Sequence, residues 1–267
     1  MDNFNYLFPF VMNITRYFLF AGLAFIVFYK VFTVFFESYK IQAKYAEKKD
    51  FFREIIFSMQ TIIILALITL AIVYSPLREY TQLYSEPSDY PIWWIPLSIM
   101  LALILHDTYF YWMHRFAHHR KVFKYLHKTH HKSTNPSPWT SYAFGFSEGI
   151  VESLIAPLIL FLIPMHPLSL ILFTVIAFMI NIYGHLGYEI MPKWFRKSVL
   201  FKFINTSVYH NLHHEKFNGN YGLYFRFWDK IMKTGNANYE EQYDRVQLNR
   251  FPVKTDEESV LEPSPLV

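Results

Sequence analysis

Long apolar segments constrain the fold of this chain more than any other feature of its sequence. A helix needs about 20 apolar residues to cross a bilayer core of about 30 Å. Four or five segments reach or approach that length, and they occupy residues 14–36, 57–77, 92–113, 147–163 and 167–184. Of the 267 residues, 53% are hydrophobic and only 17% are charged, which is more apolar than an ordinary soluble domain. A soluble protein with buried helices is the alternative, and several apolar segments of this length disfavour it.

The last two apolar segments are joined by the short sequence "PMH", and prolines stand at positions 157, 164 and 167. A tight connection between two long apolar segments is typical of a helical hairpin. The sequence therefore predicts an all-α fold, a polytopic membrane helix bundle of four to five membrane helices that includes this hairpin. A cytosolic histidine-rich helical cap is expected to cover one end of it.

Lys and Arg are distributed unevenly among the predicted loops, and the more basic loops are expected to be cytosolic. Loop 37–54 carries five basic residues and segment 114–146 carries six, whereas loop 78–91 has only Arg78. Eleven of the chain's 25 basic residues follow position 184. The sequence thus predicts an integral membrane protein of a bacterial inner membrane or the endoplasmic reticulum, with its N-terminus outside and its histidine clusters and C-terminus in the cytosol.

The sequence predicts three parts of the chain. Residues 1–91 are predicted to form N-terminal membrane helices, residues 92–240 a catalytic domain, and residues 241–267 a polar C-terminal tail. The opening "MDNFNYLFPF" has no basic leader, so no removable signal peptide is expected. The chain has no cysteine, which excludes disulfides, thiolate metal sites and cysteine nucleophiles.

Histidines are concentrated in the short sequences "HRFAH", "HKTHH" and "HNLHH". These sequences contain eight histidines: His114, His118, His127, His130, His131, His210, His213 and His214. Residues three and four apart share a helix face, so each cluster can offer two or three imidazoles to one point. A lone histidine is usually an ordinary buried polar residue, but eight at these spacings indicate metal binding. One zinc ion takes three or four ligands, so this set exceeds one ion and fits two.

A ninth candidate ligand is His185 in "NIYGHLGYE", which follows the predicted hairpin on the side of the other clusters. Asn181 and Glu189 lie four residues before and after it. In a continuous helix the three would share a face, and either neighbour could orient the imidazole. Interfacial capping by His185 is the alternative interpretation.

Two ionisable residues fall inside the third apolar segment, His106 and Asp107. Such residues within a membrane span are expected to be functional. At about 100° per residue, Asp107 points to the side of the helix that carries His118, and His106 points away from His114. We therefore predict that Asp107 bonds a ligand histidine or Arg115, and we keep His106 as an additional candidate ligand.

Four elements of the sequence resemble the fatty acid hydroxylase superfamily, the integral-membrane group that includes sterol desaturases and sterol C4-methyl oxidases. They are "HDTYFYWMHRFAHH", "YLHKTHHKS", "GHLGYE" and "HNLHHEKFNGNYGLYFRFWDKIMKT", within residues 100–235. The last element looks most like the sterol desaturase branch. The resemblance implies a non-haem centre of two Fe ions, for which Zn could substitute in a purified sample. It assigns the ligand roles to His114, His118, His127, His130, His131, His185, His210, His213 and His214.

The resemblance also implies O2 as co-substrate and an external electron donor, such as a cytochrome b5 or ferredoxin type protein with NAD(P)H upstream. The expected reaction is hydroxylation or desaturation of an unactivated C–H bond on a lipid or sterol, and the sequence leaves open which of the two occurs. A histidine-rich divalent-metal transporter is the alternative from another class, although clustering of the histidines at the cytosolic ends argues against it. The basic residues show no pattern typical of nucleic-acid binding.

Overall fold

The computed structural model describes residues 6–252, and within that range the chain is almost entirely helical, with isolated β-bridges and no extended strand. The prediction of an all-α fold is confirmed. Ten α-helices follow one another along the described part of the chain: α1 (Phe8–Ile26), α2 (Lys48–Val73), α3 (Trp94–Ala117), α4 (Phe123–Leu126), α5 (Phe146–Ser153), α6 (Ile155–Leu162), α7 (Pro167–Gly184), α8 (Ser207–Lys216), α9 (Phe227–Ile231) and α10 (Tyr239–Arg250).

Four of the described helices are long and apolar enough to cross a membrane. They are α1 with the π-helical turn that extends it to Val31, then α2, α3 and α7. The predicted crossing at 147–163 differs, because it consists of two helices of eight residues, α5 and α6, that meet at Leu154. Pro157 explains the break, since a proline cannot donate a hydrogen bond to the carbonyl four residues earlier and its ring clashes with that carbonyl.

An irregular segment after the second histidine cluster lies inside the helix bundle. Its centre is a 3-10 helix, Pro138–Tyr142, which packs against α1, α2 and α7. The Trp139 carbonyl accepts hydrogen bonds from Tyr17 Oη and Ser58 Oγ, each at 3.0 Å. Because these donors satisfy the carbonyl inside an apolar core, the segment can stay buried without leaving polar backbone unpaired.

The C-terminal region forms a second core beside the bundle. Val208 and Leu212 of α8 pack with Tyr239, Tyr243 and Val246 of α10, and all five are buried. The boundary drawn at residue 241 therefore falls inside a packed helix, since the sequence of α10 is polar overall but buries one apolar face. The rest of the predicted tail, from residue 253, lies outside the described residues.

The connection after α7 turns sharply at Gly187, where φ is +78°. Its carbonyl accepts a hydrogen bond from the Ile41 N–H at 3.1 Å. A β-carbon at this position would lie 2.6 Å from Tyr29 Oη, and that hydroxyl donates to the Leu186 carbonyl at 2.8 Å. Glycine is therefore required here both for its backbone conformation and for the close approach of Tyr29.

We predict that Gly187→Ala lowers the free energy of unfolding by about 1–3 kcal/mol, because alanine is strained at this φ and displaces Tyr29. Thermal unfolding of the detergent-solubilised protein would measure the change. Gly22→Ala is the matched control: it lies within α1, where a β-carbon would meet Trp139 at an ordinary 3.5 Å and alanine favours the helix. Equal unfolding temperatures for Gly187→Ala and the unmodified protein would contradict this interpretation.

Candidate metal centre

The structure brings the nine histidines that were predicted as ligands into two neighbouring groups. Within each group, the candidate ligand atoms all lie within 4.8 Å of one another. The first group contains His114, His118, His127, His131 and His213, and the second contains His130, His185, His210 and His214. All nine are buried except His118, which is partly exposed.

The two groups do not follow the sequence clusters. Adjacent His130 and His131 belong to different groups, and so do adjacent His213 and His214. Each cluster offers two imidazoles to one group, within the expected two or three, and the third histidine of the second and third clusters belongs to the other group. The physical reason is that neighbouring residues in a helical turn point about 100° apart, so one turn can serve two sites.

Hydrogen bonds at Nδ1 fix the orientation of five imidazoles. Four of these nitrogens lie against a backbone carbonyl, which can only accept, so the nitrogen carries the proton and Nε2 keeps its lone pair. The carbonyl pairs are His114 with Tyr221 (2.9 Å), His185 with Asn181 (2.9 Å), His213 with Gly219 (2.6 Å) and His214 with Ser133 (2.9 Å). The fifth pair joins His127 to the Glu148 carboxylate.

The Nε2 atoms crowd together in a way that hydrogen bonds alone cannot satisfy. His131 Nε2 lies 3.1 Å from His118 Nε2 and 3.0 Å from His213 Nε2. His210 Nε2 lies 3.0 Å from His185 Nε2 and 3.1 Å from His214 Nε2. A single imidazole nitrogen either donates or accepts one hydrogen bond. With metal–nitrogen bonds of about 2.1 Å, two ligands at right angles would lie about 3.0 Å apart, as these atoms do.

Two further Nε2 atoms, of His114 and His127, are buried without a hydrogen-bond partner among the described residues. Their Nδ1 protons are already used, so each presents an unpaired lone pair to the interior. Unpaired buried polar atoms are costly, and a cation would satisfy them. The donor set of nine imidazoles without thiolates suits iron, zinc, copper or nickel. The residues present therefore fit two metal ions.

Burial keeps these imidazoles neutral, which is the form that binds metal. Removal from water lowers the pKa of His118 and that of His185 to about 4. Burial also lowers the pKa of the histidines of the second and third clusters well below its ordinary value, and the charge that neighbouring histidines would carry lowers it further. The centre thus offers uncharged ligands at neutral pH.

Glu148 is a contributor that the sequence analysis missed. It lies in the first turn of α5, is fully buried, and binds His127 Nδ1. A carboxylate in this position fixes the ring and increases the basicity of the ligand nitrogen. The rule that singled out Asp107, an ionisable residue within an apolar segment, would also have identified Glu148.

Glu54 acts on the second group through a serine. Its carboxylate accepts hydrogen bonds from Ser133 Oγ at 2.7 Å and from Ser137 Oγ at 2.5 Å. The Ser133 carbonyl in turn accepts from His214 Nδ1. This buried acid therefore positions the backbone that orients a ligand, and no local sequence signal links it to the histidines.

Asp107 does not bond a histidine or Arg115, contrary to the prediction. Its Oδ1 accepts the backbone N–H groups of Leu223 (3.2 Å), Tyr224 (2.7 Å) and Phe225 (3.1 Å). Asp229 holds the preceding residues in the same way, with its carboxylate accepting from the N–H groups of residues 221 and 222. The two acids fix the loop whose Tyr221 carbonyl orients His114.

Of the other three predicted residues, His106 and Glu189 occupy roles different from those expected, whereas Asn181 does orient His185. His106 lies outside both groups and its Nδ1 pairs with Tyr224 Oη at 2.9 Å. Asn181 orients His185 through its backbone carbonyl, while its side chain donates to Ser141. Glu189 accepts from Tyr183 Oη and the Val208 N–H rather than from His185. The assumption of a continuous helix fails, because α7 ends at Gly184.

An apolar cavity opens onto both groups. Its empty space, counted to the open mouth, is about 880 Å³. His127 of the first group and His130 and His185 of the second form part of its wall. Aromatic and aliphatic side chains line most of the remainder: Leu65, Phe110, Phe144, Ile155, Phe173 and Phe178.

We predict that Glu148→Ala weakens the binding of one metal ion by about 10- to 100-fold, because His127 loses the partner that orients it. Metal content after dialysis against graded chelator concentrations would measure the loss. Glu215→Gln is the control, since this exposed acid follows His214 directly but pairs only with Lys216. Unchanged chelator resistance in Glu148→Ala would show that the carboxylate does not support the site.

Comparison with known proteins agrees with this geometry. The sequence model of the fatty acid hydroxylase family matches residues 99–234, which include all nine histidines. A lathosterol oxidase of Rattus norvegicus is 35% identical over 69% of this chain and 60% of its own length. A Delta(7)-sterol 5(6)-desaturase of Schizosaccharomyces pombe is 34% identical over 74% of this chain and 63% of its own length.

A third relative, a Delta(7)-sterol 5(6)-desaturase of Leptosphaeria maculans, is 30% identical over 94% of this chain and 66% of its own length. The chain thus spans about 60% of the curated relatives that it matches. No solved structure matches it. The family match over half of the sequence is decisive, and the chain belongs to the fatty acid hydroxylase family.

Proposed function

We propose that this protein is an integral-membrane oxidoreductase that uses O2 and external electrons to oxidise a sterol C–H bond. The observation that carries the proposal is the apolar cavity whose wall includes histidines of both groups. A lipid in this cavity would lie directly against the metal ions. Family membership and the sterol-oxidising relatives support the same reaction class.

The proposed cofactor is a pair of non-haem Fe ions, one held by each histidine group. Bound iron would supply the one-electron steps needed to activate O2 and to attack an unactivated C–H bond. The protein holds the imidazoles in one tautomer through the Nδ1 hydrogen bonds described above. Phe110, Phe144 and Phe173 keep the cavity dry beside the ligands, which limits side reactions with water.

Desaturation is the favoured outcome over hydroxylation. The two differ in atom balance, since desaturation removes two hydrogens from the substrate and hydroxylation adds one oxygen. Two of the relatives described above are named for desaturation at sterol carbons 5 and 6, and we extend that position to this chain. Zinc binding in a purified sample would leave the ligand set intact but would not support the redox steps.

Divalent-metal transport is disfavoured by the placement of the ligands. Transport sites need polar ligands near the bilayer midplane with access from both sides. Here the histidines lie at the C-terminal ends of α3 and α7, in the 3-10 turn at His130–Lys132, next to α4 and in α8. Nearly all are buried and tied by hydrogen bonds, which favours a fixed cofactor over a passing ion.

The proposed topology places the N-terminus outside and the histidine groups and C-terminus in the cytosol. The basic residues of loop 37–54 and segment 114–146 support it. A cytosolic electron donor of the cytochrome b5 or ferredoxin type, with NAD(P)H upstream, completes the proposed reaction. Exposed Arg120, Lys121 and Lys124 lie beside the ligand-bearing segment and offer an acidic partner a complementary surface.

The absence of native cysteine allows the topology to be tested with single cysteines. We predict that Lys44→Cys and Ser88→Cys, both at exposed positions, react with an impermeant maleimide from opposite sides of sealed vesicles, with Lys44→Cys on the cytosolic side. Labelling after permeabilisation is the control for accessibility. Reaction of both variants from one side would refute the topology.

The reaction is tested with one variant for each histidine group, His130→Ala and His213→Ala. We predict that each loses about one metal ion per chain, because the ligand set around one ion is broken. Each should also lose turnover of a Δ7-sterol, measured by mass spectrometry as the product two hydrogens lighter. His119→Ala is the matched control, since this exposed histidine adjoins the first cluster but lies outside both groups. Full metal content and turnover in both test variants would overturn the assignment.

A further inference from the structure

Most polar groups on the cavity wall already have a partner within the protein. Thr174 Oγ1 donates to the Ile171 carbonyl at 3.0 Å, Asn181 donates to the Ser141 carbonyl at 2.9 Å, and Tyr224 Oη pairs with His106. Two acceptor groups on the wall have no hydrogen-bond donor among the described residues: the buried Asn181 Oδ1 and the carboxyl group of the partly buried Glu152. Glu152 is the ionisable one of the two. A carboxyl group without a hydrogen-bond donor is costly in apolar surroundings, so we expect a ligand to supply that donor.

The location of Glu152 relates it to the metal centre. It lies on α5 four residues after Glu148, and residues at this spacing share a helix face. Glu148 binds His127, a member of the first histidine group. Glu152 is therefore about one helical turn from a group that touches the metal ligands, on the wall of the same cavity.

We propose that Glu152 accepts a hydrogen bond from the hydroxyl group of the sterol substrate and so determines which ring carbons face the metal ions. This inference rests on the proposed function and adds a specificity-determining residue to it. The side chain would touch the substrate but not the reacting carbons. His106 and Tyr224, which pair with each other on the same wall, would flank the bound hydroxyl.

The chemistry of a sterol favours a hydroxyl site close to the metal ions. The hydroxyl is on carbon 3, and carbons 5 and 6 are only two and three bonds away from carbon 3. A group that binds this hydroxyl must therefore be near the ligands if those carbons are to be oxidised. Glu152 meets this requirement through its neighbour Glu148.

The other charged group on the wall, Arg16, meets the requirement less well. Its guanidinium lies 5.8 Å from the centre of the Phe178 ring, and Phe178 precedes His185 by seven residues, which is about 10 Å along the helix axis. Its Nη2 also already donates to Asn13 Oδ1 at 2.5 Å and to Tyr142 Oη at 3.3 Å. A hydroxyl bound there would leave carbons 5 and 6 far from the metal ions.

The test pairs a change in the protein with a change in the substrate. Sterol binding and turnover are measured for the metal-loaded protein with a 3-hydroxy Δ7-sterol and with its 3-methyl ether, which cannot donate a hydrogen bond. The unmodified protein should prefer the hydroxysterol by about 10- to 100-fold. Glu152→Leu should bind both sterols equally, and Glu152→Gln, which keeps an accepting oxygen, should retain part of the preference.

Thr174→Val is the matched control, because its hydroxyl is used within α7 and should show no coupling to the sterol hydroxyl. Metal content, expected to be unchanged in every variant, separates loss of substrate positioning from loss of structure. If Glu152→Leu misfolds, Glu152→Gln decides alone, and a preference equal to that of the unmodified protein overturns the inference.

Measurements of sterol binding and of turnover distinguish the proposed role of Glu152 from the proposed reaction. Coupling in the binding constants without any turnover would retain the role of Glu152 and refute the proposed reaction. Turnover of the hydroxysterol and its ether with the same preference in all variants would refute the role of Glu152 and retain the reaction. If neither sterol binds or reacts, both are refuted.

Discussion

The lone pairs of the nine imidazoles converge on two small regions of the interior, and the rest of the structure is arranged around this convergence. Nitrogen atoms about 3 Å apart with their lone pairs turned inwards repel one another unless a cation lies between them. The fold therefore has to prevent each ring from turning away. For five of the nine rings it does so with oxygen atoms at Nδ1, so that the preferred tautomer leaves Nε2 free to bind metal.

Buried carboxylates provide much of the rigidity that this arrangement needs. Among the carboxylates of residues 6–252, Glu148 is the one in contact with a candidate ligand histidine. Glu54, Asp107 and Asp229 act indirectly. Each accepts hydrogen bonds from an irregular segment of the chain, and a carbonyl in or next to that segment orients a histidine ring. Irregular backbone has no repeating hydrogen-bond pattern of its own, and a fixed acceptor for several N–H groups gives it a single conformation. The sequences "FNGNYG" and "FWD" thus both contribute to the loop whose carbonyls orient ligand histidines.

The sequence predicts the membrane helices and identifies the nine histidines as candidate metal ligands, because both predictions depend on local composition and spacing. It does not predict how the histidines divide, since His130 and His131 separate according to the turn in which they lie. It also misplaces Asp107 and Glu189, because a helical wheel assumes a straight helix and a side-chain contact. The structure uses Asp107 on a distant loop and Asn181 through its carbonyl. Such long-range pairings depend on tertiary packing, which spacing alone does not encode.

The segment between residues 133 and 145 joins the apolar cavity to the candidate metal ligands. At its start, the Ser133 carbonyl orients His214. Further along, the Trp139 carbonyl accepts hydrogen bonds from Tyr17 and Ser58. Phe144 forms part of the cavity wall, and the centre of its ring lies 5.0 Å from that of His130. Because one continuous segment supplies both the wall and a ligand's acceptor, a substrate that displaced the wall would also shift a ligand. In the proposed function, the fit of the sterol and the geometry of the histidine groups would therefore be physically coupled.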